Sequence, residues 1–286
     1  MKIDTTAEQL IRAALDEDLG RHEPSGGGDV TTDPIIAQDH ESTWVLVADA
    51  TGIIAGLDVA LRAWQEMDRG IEMDVFIGDG RRVSAGDRIA AVRGRTRGII
   101  SGERVALNFL QRLSGVATAT AGLAAVLEGT GTTLLDTRKT TPGMRTLEKQ
   151  AVVLGGGGNH RMGLWDMALI KDNHIAAAGG IASAVAAVRA AHPDVRVEVE
   201  VTDDVELEQA LAAGVDRVML DNMTPGEMSV GVALARAHPS APEIELSGCV
   251  TAETLPEFAR MGADFISVGA ITHSAPALDI SLELGG

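Results

Sequence analysis

From residue 132 to residue 268 the chain alternates short apolar runs with helical stripes, and the apolar runs end on polar, charged or glycine residues. The spacing predicts strands at 132–136, 168–171, 196–200, 217–220, 243–247 and 264–268. Between them it predicts helices at 144–154, 180–191, 204–213, 225–237 and 253–260. Strands joined by helical crossovers pair in parallel, so the fold class is α/β with repeated β/α units. The runs read TLLD to Asp136, ALIK to Lys171, VEVE to Glu200, VMLD to Asp221, IELSG to Gly248 and ISVGA to Ala270. In a barrel all these carboxyl ends face one centre, whereas a doubly wound sheet uses mainly the strands at its crevice. The even supply of polar ends favours the barrel, with the doubly wound sheet as the alternative.

The amino-terminal part has a different grammar. Leu10, Ile11, Ala14, Leu15 and Leu19 recur at helical spacing over 6–19, and the stretch Ser25–Gly28 then breaks the pattern. Trp44–Ala48, Met73–Ile77 and Ile89–Val92 read as strands, which makes 30–100 a small sheet-rich unit. Within it DGRRVSAGDRI, 79–89, has the turn–strand–turn form of lipoyl and biotin carriers. Residues 50–110 contain no lysine to carry such a group, so the segment is read as a structural hairpin pair. From Gly102 to Leu127 the pattern is helical, with Gly115 and Gly122 placed to bend or divide it, and a domain boundary falls near 100–115.

Charge narrows the partners. Acids outnumber Lys plus Arg by 41 to 24, a formal net charge of −17, which disfavours nucleic acid or an anionic membrane. With no tyrosine and 2% aromatics, a base-stacking surface is poorly supplied. A single cysteine, Cys249, rules out an internal disulfide and a cysteine-rich zinc cluster and suits a reducing cytoplasm. The acidic start MKIDTTAEQLIRAALDEDL lacks a signal-peptide core, and no stretch reaches the roughly 18 apolar residues expected of a spanning helix. Cytoplasmic localisation is expected.

Against this acidic background the stretch 136–174 gathers Arg138, Lys139, Arg145, His160, Arg161, Lys171 and His174. Such an island suits a small anion. Arg138 and Lys139 leave the first strand together; arginine matches a carboxylate bidentately, while lysine is a mobile point charge suited to phosphate. GGGGNHR, 155–161, lacks the GK[ST] ending of a nucleotide loop and the strand-to-helix setting of a dinucleotide fingerprint. Its glycines instead let a connection bring His160 and Arg161 inward. Lys171 is read chiefly as a charge-recognition group, with a Schiff-base lysine and a structural ion pair as alternatives. Glu200 and Asp221 close successive strands and can act as acid and base or share a divalent cation with substrate oxygens. Glu198 falls on the same face as Glu200, and either can be the inward acid. Ser247–Gly248 and Gly269–Ala270, in the last two loops, are suited to a terminal phosphate through backbone amides. His22, His40, His192 and His238 read as solvated, and His273 as a cap or packing residue.

Taken in order, DTRKT at 136–140, NHR at 159–161, ALIKDNH at 168–174, EVE at 198–200, LDN at 220–222 and SVGAITHS at 267–274 resemble the quinolinate phosphoribosyltransferase family, the carboxylating nicotinate-nucleotide pyrophosphorylases. GERVALNFLQRLSGVATAT at 102–120, EDLG and GGDVT extend the resemblance over nearly the whole chain. It implies an incomplete parallel α/β barrel, 111–274, joined to a smaller α/β-sandwich domain, 1–110, with a tail, 275–286, returning to that domain. It implies phosphoribosyl transfer from 5-phosphoribosyl 1-pyrophosphate to quinolinate with decarboxylation, giving nicotinate mononucleotide, pyrophosphate and carbon dioxide. Arg104, Arg138, His160, Arg161 and Lys171 are implied around the quinolinate carboxylates, and Lys139 and Lys171 as neutralising phosphate. Lys139, Lys171, Glu200 and Asp221 form the implied catalytic set. Glu200 and Asp221 are implied to hold ribose hydroxyls and substrate-associated Mg2+, and Ser247, Gly248, Gly269 and Ala270 to cradle the 5-phosphate. No organic cofactor is implied, and a homodimer is, with Arg104 reaching the neighbour's site. The competing readings are a related molybdenum-transport-associated phosphoribosyltransferase-like protein, a non-catalytic metabolite-binding barrel and an aldolase. One departure stands out: the family has two glycines after the serine, where this chain has Ser247–Gly248–Cys249.

Overall fold

The structure, a computed structural model, describes residues 1–24, 26–248 and 250–285. Its elements, in chain order, begin with α1 (Thr5–Asp18), α2 (Thr32–Ile35), β1 (Glu41–Ala48), β2 (Gly52–Ile53), α3 (Leu57–Met67), β3 (Glu72–Val75), β4 (Arg82–Val83), β5 (Arg88–Arg95) and α4 (Thr96–Ala124). There follow β6 (Thr133–Leu135), α5 (Arg145–Leu154), β7 (Ala168–Ile170), α6 (Asp172–Ala178), α7 (Ile181–Ala191), β8 (Val197–Val201), α8 (Asp204–Ala212) and β9 (Arg217–Asp221). The chain closes with α9 (Pro225–Ala237), β10 (Glu243–Ser247), α10 (Leu255–Phe258), β11 (Phe265–Ser267), α11 (Ala270–His273) and β12 (Ile280–Leu284).

Two units are built from these elements. The first takes Met1–Ala121, Thr140–Gly156 and the chain from Ile271 on; the second takes Gly122–Lys139 and Gly157–Ala270. Helix α5, expected as a barrel crossover, therefore belongs to the first unit, although it joins two strands of the second.

In the first unit an antiparallel sheet runs β12-β1-β5-β3. Strand β1 is central: Trp44–Ala48 pairs with β12 on one side, and Glu41–Val47 pairs with β5 on the other. Helix α3, overlooked in a segment read as sheet-rich, buries Leu57, Val59, Ala60, Ala63 and Trp64. The buried Trp64 indole donates to the Ile99 carbonyl at 3.0 Å, so its polar edge is satisfied. The 79–89 segment is not a self-paired hairpin. Its β4 pairs with β2, while β5 pairs with β1 and β3, and the turn between is held by Ser84 N–H donating to Asp87 at 2.8 Å.

Helix α4 runs unbroken through both glycines that were placed to bend it. Gly115 answers a packing demand instead, since a Cβ there would lie 2.0 Å from the Pro276 carbonyl oxygen. With the short 3-10 turn that follows, Thr96–Leu127 has the length and composition of a membrane span, which the sequence reading did not anticipate. Leu110, Leu113, Val116 and Ala117 on it are buried, as in the core helix of a folded unit.

The second unit is a six-stranded parallel sheet in the order β6-β11-β10-β9-β8-β7. From β7 to β11 spatial order follows sequence order, and β6 then pairs with β11. This is barrel order, open between β6 and β7; a doubly wound sheet reverses direction at a switch point. On the open side the glycine run lies along β6: Gly158 N–H donates to Leu134 O at 2.7 Å, and Asp136 N–H to Gly158 O at 3.2 Å.

Strand periodicity sorts the two faces. In β8, Val197, Val199 and Val201 are buried on one face while Glu198 and Glu200 share the other. The register aligns Glu198 with Arg217, and Asp221 with Ser247, so polar side chains of neighbouring strands meet at two levels of this face, with Met219 opposite Glu200 between them. Caps start the following helices: Asp203 accepts from Glu206 N–H before α8, and Thr224 with Glu227 forms a capping box before α9.

Candidate active site

The carboxyl ends of the strands divide into three sectors. At the open side of the barrel stand the cations: Arg138 and Lys139 after β6, Arg161 after the glycine run, and Lys171 after β7. Next come the acids, Glu200 in β8 and Asp221 at the end of β9. The small residues follow, Ser247–Gly248 at β10 and Gly269–Ala270 at β11.

Local structure explains how each is held. Asp136 is wholly buried and accepts from Asn159 Nδ2 at 2.7 Å and His160 N–H at 2.8 Å. It clamps the end of the glycine run to the end of β6. Arg138 and Lys139 lie beyond it and are exposed. Arg161 donates through Nη1 to the Met167 carbonyl at 3.2 Å. Burial, and then the neighbouring Arg138 charge, hold the Arg161 guanidinium below its usual value. A guanidinium held down by burial and a like charge is relieved by a bound anion.

Lys171 is the N-cap of α6, its backbone N–H donating to His174 Nδ1 at 3.0 Å. Its Nζ forms an ion pair with Glu200, the lysine side chain 43% exposed and the glutamate 14%. An ammonium paired with a carboxylate is suited to charge recognition, and a Schiff-base lysine needs the neutral amine. Asp221 accepts from Asn222 Nδ2 at 2.6 Å. Asn222 has φ +54° and donates from its backbone to Ser247 O at 3.2 Å, which ties the ends of β9 and β10 together. Gly248 is required here. It has φ +85°, and a Cβ would lie 2.3 Å from Asn222 Oδ1. The departure at Cys249 lies outside the described residues, as do Ser25 and Gly286.

Two members of the basic stretch belong to the first unit. Arg145 belongs to the first unit, where Nε donates to Thr140 Oγ1 at 3.1 Å. Lys149, within the same stretch, is buried in the first unit. Arg104 is exposed on α4 and lines a first-unit groove of about 330 Å³ with Glu17 and Asp18 of the EDLG motif.

Beneath the mouth lies a charged cluster that the sequence reading missed. The His160 imidazole is buried, with Nε2 3.0 Å from Glu198 Oε2 and 3.4 Å from Glu245 Oε2. Arg217 closes the cluster, donating to Glu245 at 3.1 Å and to Glu243 at 3.0 and 2.9 Å, its guanidinium 4.0 Å above the Phe265 ring. Glu198 and Glu245 are wholly buried. Burial pushes Glu198 up to about 7, and burial reinforced by the Glu198 charge does the same to Glu245. Burial works against the Arg217 charge, but Glu198, Glu245 and Glu243 outweigh it and hold that group above its usual value. Neither Glu198 oxygen meets an aligned hydrogen-bond donor, and a proton on one carboxyl relieves that cost. The signal was legible: EIELS has the same alternation of acid and aliphatic as VEVEV.

Two groups of donors can be weighed for a metal. His160, Glu198 and Glu245 offer ligand atoms within 4.8 Å of one another, but Arg217 already engages Glu245. Glu200 and Asp221 offer oxygen donors only and lie at the mouth, which fits a hard cation that arrives with a phosphorylated substrate.

Residues 29–114 match the quinolinate phosphoribosyl transferase N-terminal domain family, and residues 116–283 match the C-terminal domain family. The chain is 40% identical over 280 residues to a nicotinate-nucleotide pyrophosphorylase [carboxylating] of Mycobacterium leprae (strain TN), covering 97% of each. It is 38% identical over 291 residues to quinolinate phosphoribosyltransferase [decarboxylating] 1b of Nicotiana tabacum, covering 96% of this chain and 81% of the relative. Among solved structures, the nicotinate-nucleotide pyrophosphorylase from Francisella tularensis superposes with a TM-score of 0.89 at 39% identity, covering 98% of this chain and 96% of the other. On both domain matches and on identity along nearly its full length, the chain belongs to the quinolinate phosphoribosyltransferase family.

Proposed function

We propose that this chain joins quinolinate to 5-phosphoribosyl 1-pyrophosphate with loss of carbon dioxide, yielding nicotinate mononucleotide and pyrophosphate for NAD biosynthesis. As a family member it is a phosphoribosyltransferase, and the observation that carries the substrate reading is the three-sector mouth. Cations on one side suit a dicarboxylate and a pyrophosphate, acids in the middle suit ribose hydroxyls, and small residues opposite suit a terminal phosphate.

In this reading Arg138, Arg161 and Lys171 receive the two ring carboxylates, with His160 in the wall behind them. A homodimer adds Arg104 from the neighbouring chain. Lys139 and Lys171 face the phosphates. Glu200 and Asp221 hold the ribose, and Ser247, Gly248, Gly269 and Ala270 hold the 5-phosphate through their backbone. The parts 1–110, 111–274 and 275–286 then serve as α/β-sandwich domain, catalytic barrel and returning tail, in a cytoplasmic enzyme.

Reaction begins as the C1–O bond to pyrophosphate breaks, its electron pair leaving with the phosphate, while the pyridine nitrogen lone pair forms the new bond to C1. The acids support positive charge developing on the sugar, and Lys139 and Lys171 the negative charge on the leaving group. Fixing both carboxylates aims the ring nitrogen at C1 and removes the orientational cost. The cationic ring nitrogen then accepts the electron pair released when the C2–carboxylate bond breaks, and C2 takes a proton from solvent. Glu200 and Asp221 would hold Mg2+, which when bound supplies further charge neutralisation on the pyrophosphate oxygens.

The test is release of carbon dioxide and pyrophosphate from the two substrates with added Mg2+. Both products are expected in equal amounts, with nicotinate a far poorer substrate than quinolinate. A folded, Mg2+-supplied dimer that forms neither product would refute the assignment.

A further inference from the structure

In the buried cluster beneath the mouth only His160, behind the carboxylate-binding groups, has a part in the proposed chemistry; Glu198, Glu245 and Arg217 have none. His160 is the only member of it that also belongs to the loop bearing Arg161. Its two ring nitrogens face different things: Nδ1 accepts the Arg161 backbone N–H at 2.7 Å, and Nε2 faces Glu198 and Glu245 at 3.0 and 3.4 Å. A neutral imidazole carries one proton, and the group at one nitrogen decides which nitrogen holds it. An acceptor role at Nδ1 requires the proton on Nε2. Two buried glutamates face that nitrogen at ion-pair distance, as charges that favour a proton there and not as aligned hydrogen-bond acceptors, and Arg217 pins one of them at 3.1 Å.

We propose that Glu245 and Glu198, braced by Arg217, are positioning residues that hold His160 in its Nε2–H form, so that Nδ1 fixes the Arg161 amide and thereby the place from which Arg161 presents its guanidinium. Backbone and side chain of Arg161 are then anchored at two points, the imidazole and the Met167 carbonyl. His160 contributes from behind, as a tautomer-locked brace. The inference rests on the reading of Arg161 as a ligand of a quinolinate carboxylate, but the bracing itself can be measured without substrate.

Glu245→Gln is the direct variant, because a carboxamide can offer Nε2 an N–H. That permits the opposite tautomer, whose Nδ1–H repels the Arg161 amide. His160→Asn and His160→Gln separate the two ring positions: asparagine keeps an acceptor near Nδ1, and glutamine places its amide near Nε2.

Hydrogen exchange at the Arg161 amide is expected to accelerate at least about tenfold in Glu245→Gln and His160→Gln, and by less than about threefold in His160→Asn. In turnover, the first two variants raise KM for quinolinate about tenfold, with KM for 5-phosphoribosyl 1-pyrophosphate within about twofold and kcat within about threefold. Unchanged exchange and unchanged KM in Glu245→Gln overturn the proposal, as does a His160→Asn protein more impaired than His160→Gln. Should Glu245→Gln not fold, the two His160 variants decide the matter by the same measurements. If the wild-type chain turns over no quinolinate, the functional reading fails, while Arg161 amide exchange still decides the bracing.

Discussion

Gly248 and the Glu198–Glu245 pair carry the most specific predictions at the scale of single residues. Gly248→Ala forces a side chain into a left-handed backbone and against Asn222, 2.3 Å away, so the loop must shift. Strain of this kind costs about 1–3 kcal/mol. We expect a lower melting temperature and a higher KM for 5-phosphoribosyl 1-pyrophosphate, with little change in KM for quinolinate; equal effects on both would count against the phosphate-side reading. The acid pair predicts pH dependence of stability. Unfolded, each glutamate loses its proton near 4.5; folded, the pair retains one to about 7. Between those values the folded state binds more protons, so stability falls as pH rises, by about 3 kcal/mol for one proton, and the loss is complete above about pH 7. Thermal melts from pH 5 to 8 should show this decline, and Glu245→Gln should flatten it.

Among the elements, β12 and the cap of α8 can be tested separately. Removing the chain from Asp279 on strips β12 from one edge of β1, leaving Trp44–Ala48 paired only on the β5 side, and removes the buried Ile280. An exposed edge beside lost apolar burial costs on the order of 4 kcal/mol and invites association. Light scattering and melting should report both. Asp203→Ala removes the α8 N-cap and costs about 1 kcal/mol, read as a shift in denaturation midpoint. The sequence made α8 and α9 legible because cap, stripe and stop all lie within a few residues. By contrast, β2 and β4 are two residues each and exist only through their mutual pairing, so no local pattern announces them. Helix α3 did have a stripe, Leu57, Ala60, Ala63 and Trp64, hidden by the surrounding strand-like runs.

For the whole molecule, the decisive question is whether a site borrows Arg104 from a neighbour. Mixing Arg104→Ala with Lys171→Ala chains, each inactive alone, should restore activity to about a quarter of the wild-type sites, since half of the random dimers are mixed and each holds one intact site. No recovery after subunit exchange would place Arg104 in its own chain's site or in none. Much of the barrel was readable in advance: side-chain alternation is a local property, and it gave the succession of strands and helices along the chain and the residue closing each strand, but not the order of strands in the sheet. The cation, acid and small-residue sectors follow from that list once the sheet rolls. The gap between β6 and β7, the glycine run along it and the assignment of α5 to the other unit all depend on which distant segments meet. Depth was decided in the same way. Glu198 and Glu200 are two residues apart on one face, yet one is buried against His160 and the other pairs with Lys171 near the mouth. The sequence by itself determined which side chains face inward; only the closed tertiary structure decided which of them meet water and which must share a proton, because desolvation is set by neighbours remote along the chain.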